Sequence, residues 1–359
     1  MAASKRSTAS ARAGAAPICA ALARPIARAL DALPQRPAAV AVGVSGGADS
    51  AMLAVHAAAA ARDRAMDLHV FHVHHGLQDV SDQWQSHVHD LAHGLRVPCH
   101  SLRIQVDAAG GTGMEAAARD ARYAAFARLA QQTGARCVLL AHHRNDQAET
   151  VLLRLLRGAG PTGLAAMAPV ARRQDVTYLR PWLGVDRREI LAAARDYAAL
   201  TGWEPVLDPT NHDDQYTRAA VRERLVPDLD QRWPGWQATL VRHAQLSAQA
   251  RDVLDEVAAH DLAGLDFPGG DDGFSLQAWR LLTPARQALA LRCWLQRLGQ
   301  RMPTQARLDD VMRQLRGLHA LGHDRDMRVK HGQAWIRCRA GRVFLDAVAP
   351  DAFVRNTLK

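Results

Sequence analysis

The stretch VSGGADSAMLAV, residues 44–55, lies between an apolar run and an alanine-rich segment and decides how the chain is organised. The apolar run, residues 37–44, predicts a buried strand, and the alanine-rich segment predicts a helix. A Ser-Gly-Gly bend therefore leads into a helix N-terminus, where unpaired N–H groups and the helix dipole favour a phosphate. An isolated bend of this kind is better explained as a tight turn in which Asp49 or Ser50 caps the helix.

Short apolar runs alternate with helical stretches through the first part of the chain. Strands are predicted at residues 37–44, 67–75, 99–106 and 136–143. Connections this long join parallel strands, so the pattern predicts an α/β fold with a doubly wound parallel sheet and helices on both faces. Such sheets bind ligands outside the carboxyl ends of their strands, where the Ser-Gly-Gly bend would lie. Residues 158–203 are predicted to be loop-rich at first and then helical.

The last third of the chain has a different pattern. From about residue 237 it is mainly helical, and it ends in two or three strands, which predicts a smaller, mainly helical C-terminal α+β domain. The predicted boundaries are residues 1–34 for a basic N-terminal tail, 35–230 for the α/β domain, 231–255 for a helical linker, 256–347 for the C-terminal domain and 348–359 for a tail.

Positive charge is concentrated near the C-terminus. The whole chain has a net charge of +9, and residues 275–359 contain 16 Lys and Arg against 6 Asp and Glu. The rest of the chain is therefore almost neutral. This distribution predicts that a long polyanion would be attracted mainly by the last third. A solvated arginine-rich surface explains the same charges without a partner.

Composition excludes several classes of protein. No run of about 18 uninterrupted apolar residues is present, so no membrane segment is predicted. The basic N-terminal residues resemble a transit peptide, but a disordered tail leading into a short helix explains them better. The five cysteines are far apart, with no CxxC pair, which predicts a reducing compartment and neither a disulfide framework nor a redox motif.

Several ordered blocks share one resemblance. SGGADS (45–50), HVHHGLQ (72–78), MEAAARDARY (114–123), AHHRNDQAETVLLRLLRGAGPTGLAAM (141–167), RPW (180–182) and WEPVLDPTNHDDQYTRAAVRERLVP (203–227) are all present. SGGADS resembles the PP-loop of ATP pyrophosphatases. Together the blocks resemble the tRNA(Ile)-lysidine synthetase family over about residues 38–230, with a weaker likeness to about residue 347.

The resemblance implies a reaction and its substrates. Members of this family use ATP to join L-lysine to the wobble cytidine of a tRNA(Ile) with a CAU anticodon. Mg²⁺ is expected on the phosphates, because that cation prefers oxygen ligands. The cytidine is first adenylated with release of pyrophosphate, and the lysine ε-amine then displaces AMP to form lysidine, which changes decoding from AUG to AUA. The resemblance assigns ATP binding and catalysis to residues 35–230 and tRNA binding to residues 256–347. It also implies a cytoplasmic enzyme, and no protein partner is inferred.

The resemblance also assigns roles to individual residues. Those expected to bind ATP are Ser45, Gly46, Gly47, Ala48, Asp49 and Ser50. Asp49, as a Mg²⁺ ligand, and Asp146 are the expected catalytic residues. The expected substrate or tRNA contacts are Arg119, Arg122, His142, Glu149, Asp208, Asn211, Arg218 and Arg222.

Simpler explanations exist for some of these residues. Asp146 and Glu149 are spaced as in a helix capping box, which needs no ligand. Arg119 and Arg122 are three residues apart, as on a solvent-facing side of a helix. The chain departs from the family at Asn145, where many members have Asp, and at Ala219, where Asn commonly follows Arg. A role that needs a negative charge at position 145 is therefore not supported.

The histidines and tryptophans have less specific patterns. His72, His74, His75, His142 and His143 follow strand spacing, and no cysteine or carboxylate completes a tetrahedral set, so no zinc site is predicted. Trp279, Trp294 and Trp335 lie among arginines and could stack on bases, although their helix spacing favours core packing.

Three other functions fit parts of the pattern. A PP-loop tRNA thiolation enzyme would need paired reactive cysteines, which this chain lacks. A PP-loop ligase for a small amino-acid substrate would not need the basic C-terminal third. A tRNA-binding protein without catalysis would not need an intact SGGADS and Asp146.

Overall fold

The computed structural model describes residues 18–74, 81–105, 114–206, 217–265, 273–318 and 327–347. The chain divides into two compact units, residues 1–247 and 248–359. The boundary falls within one long helix, Trp236–Gly264. None of the helices in the described residues has the length and apolar character that a membrane span requires.

Unit 1 is built on a six-stranded sheet in the order β3-β2-β1-β4-β6-β5. Its strands are β1 Ala39–Gly43, β2 Asp67–His74, β3 Cys99–Arg103, β4 Cys137–Leu139, β5 Val170–Arg173 and β6 Val176–Leu179. All pairs are parallel except β5 with β6. Because the chain returns to β4 on the other side of β1, the strand order reverses between β1 and β4. Ligands of such sheets bind at this point.

The helices of unit 1 lie between and after these strands. They are α1 Ala20–Asp31, α2 Ala48–Arg62, α3 Ser81–Leu95, α4 Met114–Thr133, α5 Arg144–Leu156, α6 Pro161–Leu164, α7 Arg187–Thr201, α8 Thr217–Ala220 and α9 Val226–Arg232, with a π-helical turn at Val221–Leu225 between α8 and α9. The long helix across the unit boundary is α10, Trp236–Gly264.

Two apolar cores hold these layers together. One contains the alanine-rich α2 with residues of α1, α3 and α7, and the other is centred on Phe71, Tyr123 and Phe126. Alanine lets α2 be buried on almost every side, since a small side chain permits close approach. The sequence placed α1 in a tail ending at residue 34, but Leu22, Ile26 and Leu30 of this helix are buried in the first core.

The β5–β6 hairpin is a feature that the sequence analysis did not predict. Residues 158–203 were expected to hold loops and a helix, whereas β5 and β6 add an antiparallel edge to the sheet. Gln174 and Asp175 make the turn with φ angles of 49° and 59°. Two positive φ angles are typical of a two-residue hairpin, but the residues Gln-Asp are a much weaker signal than Asn-Gly.

Unit 2 combines helices with a small antiparallel sheet. Its helices are α11 Leu276–Leu281, α12 Pro284–Arg297 and α13 Gln305–Gly317. Its strands are β7 Phe274–Ser275, β8 Met327–His331, β9 Ala334–Arg339 and β10 Arg342–Ala347, in the order β7-β10-β9-β8. Trp279 and Trp294 are buried in a single core, so they pack and do not stack on bases. The predicted fold class is confirmed in both units.

Candidate active site

The bend after β1 forms a compact loop at the start of α2. The Ser45 N–H donates to Ser50 Oγ at 3.1 Å, and the two serine hydroxyl oxygens are also 3.1 Å apart. Ser50 Oγ donates to the Gly47 carbonyl at 3.1 Å. Gly47 is the N-cap residue, so Ala48, Asp49 and Ser50 already belong to the helix. Because the N-cap has no side chain, none covers the first helical N–H groups, and the capping role considered for Asp49 or Ser50 is not observed.

Gly46 gives this loop its shape. Its φ angle is +99°, a conformation that residues with a Cβ atom rarely adopt. The Gly46 carbonyl accepts a hydrogen bond of 3.0 Å from the Val206 N–H. A Cβ atom at Gly46 would lie 3.3 Å from Val206 Cγ2 and 3.5 Å from Val88 Cγ2. The loop is therefore held from outside as well as by its own serines.

Residues 203–206, which we call the strap, provide that outside contact. The Trp203 ring stacks on His87 of α3 with the ring centroids 4.4 Å apart and the planes at 15°. The Trp203 Nε1–H donates to the His87 carbonyl at 3.1 Å. The strap thus joins α3 to the loop of residues 45–50, which was expected to bind phosphate and which we call the phosphate loop. The sequence analysis did not assign the strap a role.

Asp49 and the residues after β4 meet around one histidine. His143 is buried, and its Nε2 lies 3.7 Å from Asp49 Oδ2 and 3.4 Å from Asp146 Oδ2. Arg187, at the start of α7, also contacts Asp49, with Nη2 at 3.4 Å from the same Oδ2 and Nε donating to Oδ1 at 3.4 Å. The two expected catalytic carboxylates therefore share a histidine, although 97 positions separate them in the sequence.

The ionisation of Asp49 and His143 follows from this arrangement. Burial raises the pKa of Asp49, but the hydrogen bond and charge of His143, together with Arg187, outweigh burial and leave the pKa below its ordinary value. Burial lowers the pKa of His143, but the charges of Asp49 and Asp146 outweigh it and leave the pKa above its ordinary value. Asp49 is therefore an anion near neutral pH, and the two carboxylates favour a proton on His143 Nε2, the ring nitrogen that faces them.

The capping box of α5 differs from the expected one. His143 is the N-cap residue, its Nδ1 accepts from the Asp146 N–H at 3.4 Å, and its own N–H donates to Asp146 Oδ2 at 3.1 Å. The predicted pairing of Asp146 with Glu149 is thus wrong, because Asp146 is the third residue of the helix and not its N-cap. Glu149 is left for another contact.

That contact is a fork of hydrogen bonds from Arg222. Its Nε and Nη2 donate to the Glu149 carboxylate at 2.7 and 2.9 Å, and Nη2 also donates to Asp146 Oδ1 at 3.1 Å. Glu149 is buried, and both of its neighbours in this group are partly buried. The π-helical turn that carries Arg222 is a local departure of a kind common at functional sites. Arg222 thus fixes the orientation of both carboxylates.

Arginines form a second group beside these carboxylates. Arg180 is buried, and its Nη2 donates to the Tyr123 hydroxyl at 3.1 Å. Arg119 Nη2 donates to the same hydroxyl at 3.3 Å. Arg218 Nη2 donates to Thr150 Oγ1 at 3.4 Å, and Thr150 in turn donates to the Asp146 carbonyl at 2.7 Å. The group places several positive charges next to Asp146.

His142 lies beside these arginines and is uncharged. Its Nδ1 is buried without a hydrogen-bond partner among the described residues. Burial lowers the pKa of His142 to about 3, against the opposing effect of Asp146, and nearby arginines (Arg180, Arg119 and Arg218) reinforce the shift. The imidazole is therefore uncharged at physiological pH and can offer one donor and one acceptor to a ligand.

The other expected site residues have simpler outcomes. Asp208 and Asn211 lie outside the described residues, as does His75. Arg122 is exposed on α4, one turn after Arg119. His72 is buried, and its Nδ1 lies 2.9 Å from the Val44 carbonyl, which is a structural contact at the end of β1.

Sequence reasoning missed several residues that complete the site. Arg180 lies in the RPW block, and Tyr123 ends the MEAAARDARY block, so the resemblance could have drawn attention to both. His143 was considered only as a zinc ligand, although its position before α5 is that of an N-cap. Arg187 gave no signal, since only the fold brings α7 to Asp49.

The cysteines of the sheet do not support sulfur chemistry. Burial raises the pKa of Cys99 to about 11 and that of Cys137 to about 12, which disfavours the reactive thiolate. Among the residues that the structure describes, no group of three or more His, Cys, Asp or Glu is arranged to hold a metal ion. A single carboxylate such as Asp49 can still bind Mg²⁺ when substrate phosphates and water supply the remaining ligands.

Comparisons with known proteins match two family models and several curated relatives to this chain. Residues 21–229 match the family model of the PP-loop domain, and residues 274–344 match that of the TilS substrate binding domain. The tRNA(Ile)-lysidine synthase of Bordetella bronchiseptica is 58% identical over 327 residues, which cover 91% of this chain and 95% of that protein. That of Ralstonia nicotianae is 44% identical and is covered to 64%, against 83% of this chain.

A solved structure supports the fold alone. The U34-tRNA thiolase of Methanococcus maripaludis superposes with a TM-score of 0.51 at 16% identity, over 63% of this chain and 78% of that one. The identity and coverage of the Bordetella relative, together with the two family models, decide the family. The chain belongs to the tRNA(Ile)-lysidine synthase family.

Proposed function

We propose that this protein uses ATP to join L-lysine to the wobble cytidine of a CAU-anticodon tRNA(Ile), forming lysidine, AMP and pyrophosphate. One observation carries the proposal. The phosphate loop after β1 and the carboxylate-arginine group after β4 meet at His143, whose Nε2 is within 3.7 Å of Asp49 and 3.4 Å of Asp146. A nucleotide and a second substrate can therefore bind side by side at the point where the strand order reverses. These substrates place the proposed reaction in the cytoplasm.

The first step activates the base. The cytidine O2 attacks the α-phosphorus of ATP, the bond to the β-phosphate breaks, and pyrophosphate leaves. The negative charge that develops on pyrophosphate needs fixed donors. The N–H groups at the start of α2 are donors of this kind, and the helix dipole adds positive potential. The Ser45 and Ser50 hydroxyls, which bond to each other and to the Gly47 carbonyl here, become donors by rotating toward the phosphate. Bonds within the loop hold these donors in place before ATP binds.

Asp49 fits the role of the proposed Mg²⁺ ligand. Its side chain is 27% exposed at the head of the loop, and its lowered pKa keeps it ionised. Bound Mg²⁺ would supply charge neutralisation on the phosphates. His143 and Arg187 both contact the Asp49 carboxylate, so its position is set by this chain.

The second step forms the C–N bond. The lysine ε-ammonium first gives up one proton, the resulting amine attacks C2 of the adenylated cytidine, AMP leaves with its bonding electrons, and the attached nitrogen then loses a second proton to solvent. We assign to Asp146 the binding of the incoming ammonium and the acceptance of its first proton. Arg222 and the His143 N–H hold one carboxylate oxygen each, so Asp146 is presented in a fixed orientation. Glu149 positions Arg222 and is a positioning residue in this scheme.

The arginines on the other side of Asp146 provide the anion contacts. Arg119, Arg180 and Arg218 are suited to a carboxylate or a phosphodiester, because guanidinium groups bind both in a bidentate manner. The anionic groups that the reaction brings here are the lysine α-carboxylate and the RNA phosphates beside the cytidine. Neutral His142 lies among them without adding to their mutual repulsion.

Transfer of labelled lysine to RNA tests the proposal. Purified protein is incubated with ATP, Mg²⁺, radiolabelled lysine and a CAU-anticodon tRNA(Ile) transcript, and label that resists acid and deacylating base is counted. The matched control is the same transcript with uridine at the wobble position. The proposal predicts label on the first transcript only. Label that base removes indicates an ester and contradicts a C–N product, and equal label on both transcripts contradicts a cytidine substrate.

A further inference from the structure

Reciprocal contacts with one residue of α3 fasten the start of the strap. The Trp203 ring stacks on the His87 ring, and the Trp203 Nε1–H donates to the His87 backbone carbonyl at 3.1 Å. The His87 ring in turn donates from Nε2 to the Glu204 carbonyl. A carbonyl oxygen can only accept a hydrogen bond, so His87 Nε2 carries a proton. The His87 side chain therefore fixes both the Trp203 ring and the direction of the backbone after it.

The strap itself has few free torsion angles. Gly202 ends α7 in the left-handed conformation with a φ angle of 73°, and the Trp203 N–H donates to Thr201 Oγ1 at 3.2 Å. Pro205 fixes its own φ angle and disfavours a helical conformation of Glu204 before it. The position of the next backbone N–H along the strap therefore follows closely from the position of the Trp203 ring.

That N–H belongs to Val206, and it orients a peptide that has little preference of its own. The peptide unit between Gly46 and Gly47 has no Cβ atom on either side, so it rotates more easily than other peptide units. Its carbonyl accepts a hydrogen bond of 3.0 Å from the Val206 N–H. Because the peptide is trans, its carbonyl and its N–H point in opposite directions, and the Gly47 N–H points away from the strap.

The Gly47 N–H is in a position to bind a ligand. Gly47 is half-buried and is the N-cap of α2, where donors favour an anion. No residue in the part of the chain that the structure describes accepts a hydrogen bond from this N–H. If the peptide flipped, a carbonyl oxygen would take the place of the N–H and would repel a phosphate. The bond to Val206 therefore favours the orientation that can bind one.

We propose that Trp203 and His87 are positioning residues for ATP, because they act through Val206 to hold the Gly47 N–H toward the departing phosphates. The proposal rests on the proposed function for the ligand of the phosphate loop. It predicts an effect on the β- and γ-phosphates and none on the adenosine or the α-phosphate. The apparent affinity for ATP should decrease in proportion to the fraction of molecules with the correctly oriented peptide.

Two pairs of variants test the strap. Val206→Pro removes the N–H that binds Gly46, and its control Val206→Ala keeps that N–H. Trp203→Ala removes the stacked ring, and its control Trp233→Ala removes a tryptophan ring of the same unit that is 59% exposed. Isothermal titration calorimetry then measures the affinities for ATP, pyrophosphate and AMP with Mg²⁺ present. Neither tRNA nor lysine is added, so the proposed reaction does not proceed.

Val206→Pro and Trp203→Ala should each bind ATP and pyrophosphate roughly 5- to 10-fold more weakly. Their affinity for AMP should change by less than about twofold, because AMP lacks both departing phosphates. The two controls should keep the ATP and AMP affinities of the unchanged protein. A purely structural strap would change stability and leave the ratio of ATP to AMP affinity as it is, and that result overturns the proposal.

A double variant tests whether the two rings act through one contact. His87→Ala and Trp203→Ala should each weaken ATP binding, and the two changes together should weaken it no more than Trp203→Ala alone. Losses that multiply would contradict a shared route through the strap. If Val206→Pro does not fold, Trp203→Ala still decides the question, because it leaves the backbone of the strap unchanged.

The same titrations separate this inference from the proposed function. If the unchanged protein binds pyrophosphate and prefers ATP to AMP, but the strap variants keep that preference, the inference about Trp203 and His87 is wrong and the function stands. If the unchanged protein binds no pyrophosphate and does not distinguish ATP from AMP, the phosphate loop does not hold the departing group. In that case both the inference and the proposed function fail.

Discussion

Replacing Gly46 with alanine tests how the phosphate loop is held. The φ angle of +99° would be imposed on a residue with a Cβ atom, which costs about 1 to 2 kcal/mol. The new methyl group would also lie 3.3 Å from Val206 Cγ2 and 3.5 Å from Val88 Cγ2. Displacing these two side chains, of which Val88 is buried and Val206 is half-buried, adds about 1 kcal/mol. The whole perturbation is therefore about 2 to 3 kcal/mol.

This perturbation should lower either the stability of the protein or its activity with ATP. If the loop keeps its shape, the free energy of unfolding decreases by that amount. If the loop relaxes, the Val206 N–H loses its bond to Gly46, the donors for pyrophosphate move, and kcat/KM for ATP falls by roughly 30- to 150-fold. Chemical denaturation followed by fluorescence measures the first quantity, and lysine transfer at varied ATP concentration measures the second.

Two other glycines provide controls for Gly46→Ala. An added methyl group at Gly94, within α3, meets nothing within 4 Å, so Gly94→Ala should leave both quantities near those of the unchanged protein. At Gly47 the φ angle is −72° and the nearest atom is Ser45 Oγ at 3.7 Å, so Gly47→Ala should fold but block a phosphate that approaches closely. If Gly46→Ala changes stability by less than about 0.5 kcal/mol and activity by less than about twofold, the reasoning is refuted.

Three further changes probe the rest of the site. Ser50→Ala removes the acceptor of the Ser45 N–H and one pyrophosphate donor, so kcat should fall roughly 10- to 100-fold. The tRNA affinity measured by anisotropy should not change. An equal loss of kcat and tRNA affinity would contradict a role for Ser50 in binding pyrophosphate. Glu149→Gln weakens the fork to Arg222 and should lower the free energy of unfolding by about 1 to 2 kcal/mol and raise the KM for lysine, whereas an unchanged KM would exclude a positioning role. His142 is neutral in the fold with a pKa of about 3, and the unfolded side chain binds a proton below its ordinary value of 6.5. Its contribution to stability is therefore lost as the pH falls below 6.5, so His142→Asn should reduce the loss of stability between neutral and acidic pH measured by denaturation, and an unchanged pH dependence would show that His142 does not contribute.

Local sequence patterns predicted the first strand, the loop after it and the helix that follows. The apolar run before Ser45 and the alanine-rich helix after it determine β1, the loop and α2 without help from distant residues. The β5–β6 hairpin depends on two polar residues, Gln174 and Asp175, adopting positive φ angles. Nothing in their side chains demands that conformation, so the pattern alone did not predict it.

In the site, too, local spacing predicted some features, whereas residues distant in the sequence supplied others that it did not predict. The spacing of Asp146 and Glu149 indicated a capping box, but the residue that completes the box is His143, a histidine, which is not a preferred N-cap type. The partners that orient the carboxylates, Arg187 and Arg222, come from helices far along the chain. Only the strand order brings them together, and the order of strands in a sheet is not encoded in any single segment.

The products of ATP cleavage show whether the loop after β1 holds a departing pyrophosphate. With ATP labelled at the α- or the γ-phosphate, CAU-anticodon tRNA and lysine, the account predicts AMP and pyrophosphate in equal amounts, one of each for every lysine that is joined to the tRNA. It also predicts that Ser50→Ala slows both products together. Release of ADP and inorganic phosphate would contradict the claim that the loop after β1 holds a departing pyrophosphate.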